Sequence, residues 1–281
     1  MKTMRYILPL LIIALCVTMI GCDKSSQNTG KSADSLTVKT VTLADTTSFT
    51  KHDGQSCLIT SSARFEVPEN TADTAKLKHL LALYAKHILH APDSIDFNDA
   101  LRACVANSMH QFDNIAEPSE VIEEEEDNSD PVLRYVTSTA VTLMYNTNGV
   151  ATFCRVDTIR KNDITTWVAH RYYNFDLNTL ERLTAHELIA DEHIGELTQL
   201  LRTQLLKQNN ATSDTQLNTL GYFNVDNITP TANFYPTPEG ITWSFLPGEL
   251  AIDAVGEPTI SLTFEQLARL DGLTPIIKQL Q

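Results

Sequence analysis

The chain has 281 residues, of which 42% are hydrophobic and 20% are charged. A chain of this length supports one or two domains and buries a sizeable core, which excludes a wholly disordered protein. Its 35 acidic residues exceed its 21 basic ones, for a net charge of −14. Such a surface repels the phosphates of nucleic acids, so we expect no nucleic-acid partner.

The first 21 residues have the pattern of a secretory signal peptide. Lys2 and Arg5 precede the apolar run Ile7–Ile20, which is shorter than the roughly 20 residues that a membrane-spanning helix needs. Cys22 directly follows Gly21, and a cysteine after a small residue resembles a bacterial lipobox, in which the cysteine is acylated. We therefore predict a signal peptide over residues 1–21, lipidation at Cys22 and a flexible tether over residues 22–35. The alternative is an ordinary secretory signal.

Three cysteines follow the tether: Cys57, Cys104 and Cys154. None has the C-x-x-C spacing of zinc or thioredoxin-type sites, and an odd number cannot pair fully. We expect buried apolar thiols, with one disulfide between Cys57 and Cys154 as the alternative.

Residues 36–116 are predicted to form an N-terminal α+β domain. Leu36–Phe49 and Gln55–Val67 are rich in β-branched residues and read as two strands. Apolar residues recur at helical spacing over Asp73–His90 and Ile95–Ile115, which predicts two amphipathic helices.

Residues 117–131 are predicted to be an acidic linker. Glu117–Asp130 contains eight acidic residues and no basic one. Such runs repel themselves and stay solvated. A calcium or other cation site is the alternative, but the segment lacks the turn glycine and regular spacing of a calcium loop.

Residues 132–281 are predicted to form a C-terminal α+β domain. Val132–Asn146 and Val150–Arg160 flank an Asn-Gly hairpin turn, and Ile164–Leu177 follows as a third strand. Further strands are predicted at Ala232–Tyr235, Ile241–Phe245 and Pro258–Thr263, and helices at Leu183–Ala190, Ile194–Gln208, Phe264–Leu270 and Pro275–Leu280, while Asn209–Leu220 is ambiguous. The predicted class is α+β, with two packed α+β units, antiparallel sheets and helices on one face.

Three stretches of the second domain carry a family resemblance. They are Asn174-Phe175-Asp176-Leu177, the hairpin Asn233–Ile241 and the run Leu246–Ala251. They resemble the RsiV-like C-terminal domain family, a domain of unknown function found in bacterial envelope lipoproteins, especially of Bacteroidetes. A Gly-Gly-Ala-His-Gly turn of that family is reduced here to Ala169-His170. The resemblance implies binding or sensing without catalysis.

The sequence contains no complete catalytic motif. The stretch from His186 to Ala190 lacks the second histidine of a zinc-protease helix. His87 and His90 have a spacing that could share a metal, but solvated histidines are common at helix ends. We therefore predict no catalytic residue, no metal and no cofactor. The candidate ligand-binding face is Phe234, Tyr235 and Trp243, with Trp167 and Tyr173 as further aromatic candidates, and a role in the core is the alternative.

These observations favour a noncatalytic, lipid-anchored protein of the bacterial cell envelope. Its negative charge suits a basic partner, and the resemblance points to lysozyme-like or cell-wall ligands. One alternative is a structural or assembly subunit of an envelope complex. A second is a cell-wall hydrolase, although no motif selects a pair of carboxylates for such chemistry.

Overall fold

The computed structural model describes residues 36–50, 54–70, 73–112 and 132–281. Its largest element is a six-stranded sheet whose strands follow one another in chain order. The strands are β1 (Thr37–Thr50), β2 (Ser56–Asn70), β3 (Val132–Thr147), β4 (Val150–Lys161), β5 (Ile164–Asp176) and β6 (Glu181–Leu183). The predicted signal peptide, the lipidation site Cys22, the tether and the acidic linker all lie outside the described residues.

Four of the five strand pairs in this sheet are antiparallel, and the exception is β2 with β3. These two run in parallel, from Ser56 opposite Val132 to Phe65 opposite Val141. Parallel neighbours need a long crossover connection, and residues 71–131 supply it. The two predicted units therefore contribute strands to one shared sheet.

Two helices in the crossover cover one face of the sheet, as the apolar spacing predicts. They are α1 (Thr74–His87) and α2 (Phe97–His110). Each begins after an aspartate: the Asp73 carboxylate accepts the Ala75 N–H (2.8 Å), and the Asp96 carboxylate accepts the Asn98 N–H (2.9 Å). The helices and the sheet share a core that includes Phe65, Tyr84, Leu101, Val141, Phe153 and Phe175.

The C-terminal part of the chain builds a second core around a three-stranded antiparallel sheet. Its strands are β7 (Phe234–Pro236), β8 (Gly240–Ser244) and β9 (Thr259–Thr263). Its helices are α3 (Ala185–Leu188), α4 (Ile194–Gln208), α5 (Asp214–Thr219), α6 (Phe264–Leu267) and α7 (Ile276–Leu280), with 3₁₀ turns at Asp191–His193 and Val225–Asn227. Helix α4 buries Leu197, Leu201 and Leu205, which lie one above the other at a spacing of four.

The architecture confirms the predicted α+β class. One predicted element is corrected: Leu183–Ala190 is not a single helix, because Leu183 ends β6 and α3 begins after Thr184. A capping box fixes that start, with the Glu187 carboxylate accepting both the N–H and the hydroxyl of Thr184 (2.6 Å each). Within the described ranges, no helix is long and apolar enough to cross a membrane.

Candidate ligand-binding cleft

A cleft of about 330 Å³ lies between the helix pair and the middle of the six-stranded sheet. Its roof comes from Leu89 and His90, which follow α1, and from the last turns of α2. Its floor comes from β3, β4 and β5. The lining includes Cys104, Ser108, Thr137, Thr139, Arg155, Asp157, Trp167 and Arg171. The volume is at the lower end of the range of small-molecule sites.

The strand alternation explains why charged side chains reach this cleft. Alternate residues of a strand point to the same face, and Phe153 on β4 belongs to the core under the helices. Arg155 and Asp157 therefore point to that face too. On β5, Arg171 lies opposite Arg155 and Trp167 lies opposite Ile159. The apolar core thus passes directly into a charged cleft.

Asp157 is the centre of an ion network on the cleft floor. Its carboxylate accepts hydrogen bonds from Arg155 Nε (2.8 and 3.0 Å), from Arg171 (3.0 Å) and from the Thr139 hydroxyl (2.8 Å). Arg155 also donates to the Ile88 carbonyl at 2.5 Å, which ties the end of α1 to the sheet. The side chains of Arg155 and Asp157 are only 11% and 15% exposed. Burial opposes the charge of Arg155, but the combined effect of neighbouring groups, led by the Asp157 carboxylate, outweighs burial and raises the pKa of the guanidinium.

The cleft carries more positive than negative charge. Two arginines face one aspartate in its lining. His90 adds no charge at neutral pH, because burial, followed by repulsion from Arg155 and Arg171, lowers the pKa of its ring. Arg171 is the most accessible cation, with 31% of its side chain exposed and its guanidinium 5.8 Å from the centroid of the Trp167 ring. The arrangement can bind an anion at Arg171 beside a flat apolar surface.

The remaining lining is neutral. Ser108 bonds to Ser61 (2.6 Å) and to Thr137 (3.1 Å), and its hydroxyl donates to the Val105 carbonyl (2.7 Å). Burial raises the pKa of the Cys104 thiol. The thiol is therefore protonated at neutral pH, whereas a nucleophilic cysteine needs a lowered pKa.

Two asparagines join the three-stranded sheet to the six-stranded one. Asn174 donates to the Phe234 carbonyl (2.7 Å) and accepts from the Thr152 hydroxyl (2.7 Å). Asn233 accepts the Tyr172 N–H (2.7 Å) and donates to the His170 and Ser244 carbonyls (3.1 and 3.0 Å). The Asn174 bonds lie on the face of β5 opposite the cleft, and the Asn233 bonds reach backbone groups along the edge of β5. Both Asn-Phe stretches of the sequence therefore have a structural role. Asn174 satisfies a backbone group of the three-stranded sheet, and Asn233 satisfies backbone groups of the six-stranded sheet.

Comparisons with known proteins identify the C-terminal region. Residues 186–265 match a family model described as "Protein of unknown function (DUF3298)". This segment of 80 residues is similar to the DUF3298 family. A crystal structure of a DUF3298 family member from Bacteroides fragilis NCTC 9343 superposes with a TM-score of 0.67 and 16% identity, covering 88% of this chain and 99% of that one. A DUF3298 family protein from Pseudomonas aeruginosa PAO1 gives 0.52 and 12%, with coverage of 86% and 96%. These two likenesses show a shared fold.

No curated protein matches the chain. The matched segment begins after the last residue of the cleft lining, since the lining residues all lie between Leu89 and Arg171. The cleft is therefore built by strands and helices that precede the DUF3298 segment. The finer resemblance to RsiV-like domains stays a prediction.

The predicted aromatic face belongs largely to the second core. Phe234 and Trp243 lie opposite each other on β7 and β8, their ring centroids are 5.9 Å apart and both are 0% exposed. Tyr235 is half-buried and stacks on Tyr172 at 4.3 Å. The structure favours the alternative of a core role for Phe234 and Trp243, because both rings fill the second core, while Tyr235 helps to dock the hairpin.

The histidines also have structural partners. His186 bonds to Asp191 at 2.6 Å, and Glu187 of the incomplete zinc-protease motif serves the capping box of α3. His170 contacts Glu257 through both its ring (2.6 Å) and its backbone N–H (2.7 Å). In the part of the chain that the structure describes, no group of three or more histidine, cysteine or acidic residues is placed to hold a metal ion.

Cys57, Cys104 and Cys154 are all buried. The alternative of a disulfide between Cys57 and Cys154 is wrong for geometric reasons. Cys57 lies opposite Leu133 on β3, and Cys154 lies opposite Thr142 on the same strand. Nine residues of strand separate those positions, or roughly 30 Å, whereas the Cα atoms of a disulfide lie within about 7 Å.

Proposed function

We propose that this chain is a lipid-anchored protein of the bacterial cell envelope that binds, without turnover, a carboxylate-bearing fragment of the cell wall in its cleft. One observation carries the proposal: two arginines face a single aspartate in the cleft, in a chain whose net charge is −14. A positive cleft on an acidic protein favours a small anion over a large polyanion, because the surrounding surface repels the polyanion.

The contacts within the cleft support a carboxylate as the anion. Arg171 donates one hydrogen bond to Asp157, and its side chain remains partly exposed at the cleft. A planar guanidinium presents five N–H groups that match a carboxylate. The ring of Trp167 next to it offers a flat surface for a sugar or an acyl chain.

The absence of turnover is supported by the state of the reactive groups in the cleft. The Cys104 thiol is protonated, and the Asp157 carboxylate is held by two guanidinium groups and a hydroxyl. A carboxylate whose oxygens already accept these hydrogen bonds is poorly placed to take a proton from a bound molecule.

A fluorescence titration tests this function. Muramyl dipeptide, a soluble cell-wall fragment with one free carboxylate, is added to the purified chain while tryptophan emission is recorded. Trp243 is fully buried, so a change should report on Trp167. Arg171→Gln should weaken binding at least about tenfold, whereas the control Arg160→Gln, at an exposed position of β4, should not. Equal binding by both variants, or release of a cleaved product, would refute the proposal.

The anchor is tested separately. Cys22→Ser should release the protein from membranes or block its maturation, because the acylated atom is lost. Incorporation of labelled fatty acid into the Cys22→Ser variant would show that the predicted lipidation site is wrong.

The second candidate is a basic protein partner such as lysozyme, and the observation that favours it is the net charge of −14. Attraction between exposed charges is screened beyond about 8 Å at physiological salt. The association rate with lysozyme, measured by surface plasmon resonance, should then fall steeply as salt rises. No binding at low salt by a folded protein would eliminate this candidate.

A further inference from the structure

Strand β1 is one of the two edge strands of the six-stranded sheet, and it is well exposed. Among the described strands it pairs only with β2. None of its 14 residues is buried, and none is a proline. A long exposed edge is a template for pairing with another strand, and proteins usually protect such edges with prolines, bulges or several charges.

The outward-facing backbone groups of β1 can be identified. The Thr46 N–H donates to the carboxylate of its own neighbour Asp45 (2.8 Å), which places that N–H away from β2. Because strand residues alternate, the N–H and C=O groups of Thr42 and the other even-numbered residues also point outward. Val38 agrees with this parity, because it lies opposite Pro68, which lacks the N–H that a hydrogen-bonded pair would need.

The two charges of β1 favour one occupant for this edge. Lys39 and Asp45 are the only charged residues of the strand, they have the same parity and they lie symmetrically about Thr42. If a second copy pairs antiparallel with a twofold axis at Thr42, each Lys39 faces the Asp45 of the other copy. Registers centred on Lys39 or on Asp45 would instead bring like charges together.

We propose that the chain forms a twofold-symmetric dimer through antiparallel pairing of β1 with β1 of a second copy, in the register centred on Thr42. Val41 then lies opposite Leu43 of the other copy, on the face that carries the helices. These two side chains are only partly buried in the monomer, where they pack against the first core. Asp45 exchanges its bond to the Thr46 N–H for the ammonium of Lys39, and that N–H becomes available to the Val38 carbonyl of the other copy.

The mass of the purified full-length chain, measured by size exclusion with light scattering, tests the dimer. We expect a dimer at about 50 µM. Lys39→Asp should weaken dimerisation about tenfold or more, because the new aspartate then faces Asp45 of the other copy at two symmetry-related positions. The double swap Lys39→Asp with Asp45→Lys should restore the dimer. Thermal melting followed by circular dichroism confirms that each variant folds.

Cross-linking tests the register. Thr42→Cys should form an intermolecular disulfide at position 42, located by peptide mass mapping, because the twofold axis brings the two positions to about 5.5 Å. Ser48→Cys, an exposed position of the same strand, should not, because the two copies of residue 48 are about 40 Å apart in this register. The proposal would be overturned if the chain is a monomer at all concentrations or if Lys39→Asp leaves the dimer unchanged. Cross-linking at position 48 rather than position 42 would also overturn it.

Discussion

Replacing Asp157 by alanine should destabilise the fold strongly, because it removes the carboxylate that holds two guanidinium groups. Arg155 and Arg171 would lose their partner while the first stays 11% exposed. At an effective dielectric constant of 20, two opposite charges about 4 Å apart attract each other by about 4 kcal/mol. Hydration of the arginines in the variant offsets part of the lost attraction. Breaking a buried pair from one side typically costs 3–5 kcal/mol, so we expect a loss of about 3 kcal/mol.

Thermal unfolding followed by circular dichroism measures this loss. A change of about 3 kcal/mol should lower the Tm by roughly 6–12 °C in a chain of this size. The matched control is Asp93→Ala, because Asp93 forms an ion pair with Lys86 (3.5 Å) in which both side chains are more than half exposed. Asp93→Ala should lower the free energy of unfolding by less than about 1 kcal/mol. Equal small effects of the two variants would show that the Asp157 network is not an ordered, buried one.

Two further predictions follow from the backbone and from a histidine in the cleft lining. Gly240→Ala should lower the free energy of unfolding, measured by urea titration, by about 3 kcal/mol or more, because a Cβ at this position would lie 1.9 Å from the Leu262 carbonyl oxygen. The control Gly195→Ala has open space around it. It should leave the free energy of unfolding unchanged or raise it by up to about 1 kcal/mol. The lowered pKa of His90 means that the unfolded chain binds more protons, so stability should fall as the pH drops through about 6.5. His90→Asn, which suits the φ of 56°, should flatten that part of the pH profile.

The sequence predicts local elements of this fold well, because local chemistry determines them. The hairpin between β3 and β4 turns at Asn148 and Gly149, and both have the positive φ that this dipeptide favours (54° and 77°). Helices α1 and α2 follow their apolar spacing and their aspartate caps. The short helix α5 was ambiguous from sequence, since its six residues bury only Leu217 and its start depends on a cap from Ser213.

Long-range pairing was not predictable in the same way. The parallel pairing of β2 with β3 joins segments separated by the whole crossover, and no local pattern encodes that register. The aromatic residues of β7 and β8 illustrate a related limit. The hairpin register places Phe234 opposite Trp243, but whether their shared environment is solvent or core depends on which surface covers the hairpin.

The cleft was missed because its residues come from the segment after α1, from α2 and from three strands beyond the crossover. One signal was nevertheless present: Arg155 and Asp157 continue the parity of the apolar Phe153 on a single strand. Charged residues on the core-facing side of a strand are costly unless they are paired. Such a pattern predicts a buried ion network at the edge of a core, and it could have directed attention to β4.

The central claim is that Arg171 binds the carboxylate of a cell-wall fragment, and a four-way isothermal titration tests it most directly. Muramyl dipeptide and its carboxyl-amidated form are each titrated into the unmodified protein and into Arg171→Gln. We predict that amidation weakens binding to the unmodified protein about tenfold or more. This difference should largely disappear in Arg171→Gln, because amidation and the substitution both remove the contact between the ligand carboxylate and the guanidinium. Equal affinities for both ligands, or an amidation effect of the same size in both proteins, would contradict the account.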